Sequence, residues 1–159
     1  MPIPPEVLLI QGIPELLGVV LFTLAILGLP WQARQVSLLT LVPLTAIYLI
    51  RLLPLPFGVH TVIGLILLSA MITWLSRQQP RPVLIAATLS VITFLVLENT
   101  TLIIIHMAGT SITELAERPV LWALTGLPHA FCMIGVALLI HLRGRPAFLS
   151  KLGFQNGNN

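Results

Sequence analysis

Five apolar stretches, each long enough to cross a bilayer, take up most of this 159-residue chain. A hydrocarbon core about 30 Å thick needs roughly 20 helical residues at about 1.5 Å each. The stretches run over about Val7–Leu29, Val36–Leu53, Phe57–Leu75, Val83–Met107 and Pro119–Leu142. Between them stand helix breakers: Pro30 before Arg34, Pro54 and Pro56, and Pro80 and Pro82 around Arg81. The pattern predicts an all-α, polytopic membrane helical bundle of about five transmembrane helices. Residues 1–145 form its single domain, and a Gly- and Asn-rich tail over 146–159 is expected to be disordered. Composition agrees, since 57% of the residues are apolar and only 8% are charged. A soluble domain is about one-quarter charged, so this chain cannot cover a water-facing surface. A soluble enzyme and a nucleic-acid binder are thereby excluded, and the bilayer itself is the first partner.

The few charges are unevenly placed. Arg34, Arg77, Arg81, Arg143, Arg145 and Lys151 share one end of the predicted bundle. The other end has only Arg51 and Arg118 among basic residues, with Glu6, Glu114 and Glu117. Positive charge marks the cytoplasmic side, so the N-terminus is expected outside and the C-terminus inside a bacterial cytoplasmic membrane. No basic residue precedes the first stretch and no small-x-small cleavage site follows it, so it is expected to be retained. Trp31, Trp74 and Trp122 fall near predicted span ends, as in an aromatic belt. Gly126 and Ala130, with Gly135 beyond, form a small-residue pattern that lets helices approach closely. Ser111 or Thr113 is expected to cap a short helical turn within the polar connection Ala108–Glu117. Pro14, Pro43 and Pro128 lie within spans and are expected to kink or locally open them.

Ionisable groups at depth are costly and mark candidate sites. Glu15, Glu98 and His129 each lie about nine or ten residues, roughly 13–15 Å, in from the same predicted outer edge. Gln11 lies four residues before Glu15 and shares its helix face. Arg51, His60 and His106 stand nearer that edge. Together they suggest a hydrated outward-facing pocket for a small-molecule, peptidic or cationic ligand. The competing expectation is structural: Glu15 or Glu98 pairs with Arg51 or a histidine only to satisfy a buried charge.

Sharper chemistries find little support. Haem ligation by His60 with His106, or by His106 with His129, has no specific spacing behind it. The His-Glu-x-x-His zinc motif is absent, the chain contains no Asp, and no glycine-rich phosphate loop occurs. Ser37, Ser69, Ser76 and Ser90 lack a nucleophile setting, and Cys132 is the lone cysteine. The expectation is a non-enzymatic protein without cofactor or metal.

The segment Arg51-Leu52-Leu53-Pro54-Leu55-Pro56-Phe57-Gly58-Val59-His60-Thr61, with Gly126-Leu127-Pro128-His129 and the five-span layout, supports one resemblance. It resembles the membrane-embedded sensor region of Gram-positive, accessory-gene-regulator-like sensor histidine kinases with a GHKL-type ATPase. The resemblance covers residues 5–145 in layout and implies a sensor module. A kinase domain would follow the last span in that family, yet only 17 residues lie beyond Leu142. The expectation is therefore a stand-alone relative that signals through another membrane or cytoplasmic protein, or through a homo-oligomer; the alternatives are a small membrane transport protein or transporter substrate-binding subunit, and a structural subunit of a larger membrane complex.

Overall fold

The computed structural model describes residues 8–53, 56, 58–109 and 118–143, and its elements are all helical. Helix α1 (Ile13–Leu27) is prolonged at its N-terminus by a single π-helical turn, Leu8–Gly12. Then follow α2 (Ala33–Arg51), α3 (Val59–Ser76), α4 (Pro80–Met107), α5 (Pro119–Thr125) and α6 (Leu127–Arg143). Helices α5 and α6 make one span, Pro119–Arg143, broken only at Gly126. The result is five spans long and apolar enough to cross a membrane, which makes this a multi-pass membrane protein. The capping turn expected within Thr110–Glu117 and the tail 146–159 lie outside the described residues.

The helix boundaries follow local chemistry rather than hydropathy alone. Helix α4 begins at Pro80, three residues before the apolar run. Proline suits the first helical turn because its missing N–H has no partner there anyway. Helix α1 stops at Gly28, whose φ of +64° is left-handed. There the Gly28 N–H meets the Ala25 carbonyl at 3.1 Å and the Leu29 N–H meets Leu24 at 2.9 Å. This double back-bond is the Schellman closure, which glycine enters without steric cost. Pro14 sits in the first α-helical turn, directly after the π-helical turn that absorbs its missing hydrogen bond. Pro43 behaves otherwise. Helix α2 continues through it, although the Leu39 carbonyl loses its N–H partner.

Helix α1 is the axis of the bundle. Every residue from Gly18 to Leu27 is buried, and α1 packs against α6, α4 and α2. Helix α3 closes the assembly between α2 and α4. Close approach depends on small residues. A Cβ on Gly18 would stand 3.3 Å from the Ala130 carbonyl, and Ala86, Ala87, Ala123, Ala130 and Ala137 are almost wholly buried. Gly135, by contrast, meets no neighbour. One buried polar bond joins α1 to α4. The Thr23 hydroxyl donates to Ser90 Oγ at 2.8 Å, and Ser90 donates to the Ala86 carbonyl. Large apolar side chains cover the outside instead, including Trp74 (79% exposed), Ile66 and Leu142. Water would not tolerate so continuous an apolar surface, whereas lipid requires it.

Trp31 is partly buried, because the turn at Pro30 folds its indole against the last turns of α6. There it stacks on His141 with ring centroids 4.2 Å apart and planes at 17°.

Candidate functional site

Two interrupted spans meet at one level. The π-helical turn before α1 packs against α5, just ahead of the break at Gly126. A Cβ on Gly126 would lie 2.6 Å from Gln11 Cγ, Cδ and Nε2, so the missing side chain is what accommodates Gln11. Gln11 Nε2 donates to Glu15 Oε1 at 2.6 Å, one turn along. His129, the third residue of α6, places its Nε2 2.9 Å from the same oxygen. A carboxylate only accepts, so His129 carries its proton on Nε2.

The ring of His129 is enclosed. Its side chain is 3% exposed, and Phe94 of α4 meets it edge to face with centroids 5.2 Å apart. Glu15 keeps 18% of its side chain open. Among the described residues, two buried atoms in this cluster have no hydrogen-bond partner: His129 Nδ1 and Gln11 Oε1. With the proton on Nε2, a neutral His129 presents Nδ1 as an acceptor, and the amide oxygen of Gln11 is an acceptor as well. Unsatisfied buried polar atoms are rare enough in folded proteins to require a reason.

Glu98, half-buried on α4, interacts electrostatically with Glu15, His129 and Arg51. Two carboxylates therefore share the neighbourhood of one histidine. Arg51, at the end of α2, belongs to a second pair. Its Nη2 lies 3.1 Å from His60 Nε2 at the exposed start of α3. A guanidinium only donates, so Nε2 of His60 is the acceptor. His106 lies exposed in the last turn of α4, and its side chain makes no hydrogen bond among the described residues.

Of the six residues singled out from sequence, Glu15 and His129 are in direct contact, and Glu98 interacts with both electrostatically. Arg51 and His60 pair with each other at the α2–α3 corner, while His106 stands apart. Phe94 was not anticipated, because nothing distinguishes it from the other apolar residues of its span. No protein-family model, curated protein or solved structure matches this chain, so what can be said of it rests on its own geometry.

Proposed function

We propose that this chain is a non-enzymatic sensor or regulatory module of a bacterial cytoplasmic membrane. In this proposal its N-terminus lies outside, its C-terminus lies in the cytoplasm, and it acts through a partner protein. The signal is received at the Gln11–Glu15–His129 cluster, with Glu98 at its side and Arg51 and His60 nearer the surface. The observation carrying the proposal is a pair of buried polar atoms, His129 Nδ1 and Gln11 Oε1, with no hydrogen-bond partner among the described residues; with His129 neutral, both are acceptors. A network built only to lock helices would spend those acceptors on side-chain or backbone donors. Acceptors beside two carboxylates call for a positively charged hydrogen-bond donor, so the ligand class is a primary ammonium, free or at a peptide terminus. Occupancy reaches the partner only if the two helix arrangements differ in affinity for that ligand. Kinship with accessory-gene-regulator-like sensors is part of the proposal and rests on Arg51–Thr61 and Gly126–His129.

The test uses the full chain in lipid nanodiscs with n-butylammonium, tetramethylammonium and n-butanol as probes. Only n-butylammonium should raise the unfolding temperature, and Glu15→Gln or His129→Phe should remove the effect. At 100 times its Kd the ligand contributes about 2.7 kcal/mol. Equal responses to all three probes, or none, would sink the assignment. The facing interruptions also suit a small transport protein or a transporter subunit. Glu15-dependent uptake of n-butylammonium into proteoliposomes would replace the sensor with that alternative.

A further inference from the structure

The charges around the Gln11–Glu15–His129 site do not balance among the protein's own residues. Glu15 on α1 and Glu98 on α4 each bring a carboxylate, and the groups acting on Glu98 are Glu15, His129 and Arg51. Arg51, at the end of α2, supplies the guanidinium, and it donates to the imidazole of His60 on α3 rather than to a carboxylate. The π-helical turn Leu8–Gly12 and α5 contain no titratable side chain. Arg81, His106, Arg118, Cys132, His141 and Arg143, on or beside the neighbouring elements, are all exposed.

With His129 neutral, two carboxylates face one guanidinium, which leaves one negative charge in excess. The histidine at its centre is 3% exposed and Glu15 only 18%. An uncompensated charge so poorly reached by water is costly, and the site lowers that cost by taking up a positive charge from outside. A proton and the ligand's ammonium are the two carriers at hand, and they exclude each other. The ammonium donates to the lone pair of His129 Nδ1, which a proton on Nδ1 would consume. A proton on Glu98 instead removes one of the two carboxylates that attract the ammonium.

We infer that this is an exchange site, at which a primary ammonium enters as one proton leaves. The inference rests on the ligand proposal and adds what the ligand displaces. The N–H bond at His129 Nδ1, or the O–H bond of Glu98, breaks and its proton passes to water, while an ammonium N–H donates to the lone pair left behind. The proton belongs to the coupled Glu15–Glu98–His129 group rather than to a single residue. One positive charge leaves as one arrives, so the bundle carries the same charge empty and occupied. Acid therefore opposes binding. Wherever the empty site holds its proton, each unit rise in pH should tighten binding about tenfold, for one proton released per ligand bound.

Calorimetric titration of the full chain in lipid nanodiscs with n-butylammonium counts the proton. It is run in phosphate and in HEPES, which lack a primary amine and differ in ionisation enthalpy, with protein-free nanodiscs as the blank. In the pH range where Kd varies, the difference in heat should correspond to about one proton released per ligand bound. Glu98→Gln leaves one carboxylate against one guanidinium, so this variant should bind more weakly and with little dependence on pH. A purely structural role for Glu98 would leave the pH slope in place. Equal heats in the two buffers with a Kd indifferent to pH overturn the exchange and leave the ammonium proposal standing. A Glu98→Gln variant that keeps the parent's pH slope overturns the exchange too. Absence of binding at every pH overturns both.

Discussion

Replacing Glu15 and His129 by apolar residues of similar shape, singly and together, tests whether their bond is the central polar contact of the bundle. Glu15→Met leaves His129 with both ring nitrogens unpaired, in a side chain only 3% exposed. A buried polar group stranded in this way costs about 1–3 kcal/mol. His129→Phe keeps the aromatic contact with Phe94 but leaves Glu15 bonded only to Gln11. Because Glu15 is 18% open, water softens that loss, and the expected cost falls to about 1–2 kcal/mol. The double variant strands neither of these two but still deprives Gln11 Nε2 of its acceptor, so it should lie within about 1–2 kcal/mol of the parent. Reversible unfolding in mixed micelles, read as a double-mutant cycle, should give a coupling of about 2 kcal/mol or more. Costs that simply add in the double variant would refute the assignment of a direct Glu15–His129 interaction. The same variant separates folding from binding, since it should be stable and yet blind to n-butylammonium.

Gly126→Ala places a methyl group on Gln11, so it should cost about 1 kcal/mol and release Gln11 from Glu15. Adding Gln11→Ala should restore most of that loss in the same unfolding assay. Thr23→Val and Ser90→Ala should each destabilise by about 0.5–2 kcal/mol, with a coupling of about 0.6 kcal/mol typical of hydrogen bonds between membrane helices.

What the sequence could and could not reveal has a physical boundary. Length and hydropathy delimit the five spans because the bilayer sets a fixed minimum for each. Gln11 and Glu15 were legible as a pair, since four residues is one helical turn. Equal depth suggested that Glu15, Glu98 and His129 belong together, and Pro14 and Pro128 marked the interruptions beside two of them. Rotation about each helix axis was not legible. In a soluble bundle the polar face reveals it, but here lipid and protein interior are equally apolar. Hence Ser90 and Asn99, both uncharged polar residues within α4, give no sign in sequence of which way they face, although one is fully buried and the other exposed. The pairing of Arg51 with His60 and the stacking of Trp31 on His141 depend on such rotations too.

The central place of α1 has a consequence for biosynthesis. The helix enclosed by the others, α1, is translated before all the other described spans, and its main neighbour α6 after them. Glu15 and His129 are separated by 114 residues, about 6–23 s of synthesis at 5–20 residues per second. Throughout that interval His129 is not yet there for the carboxylate to meet. Gln11, only one turn away on the same nascent segment, is the donor that accompanies Glu15 from the start. The short-range bond is thus available to a polar group at depth before α6 is made.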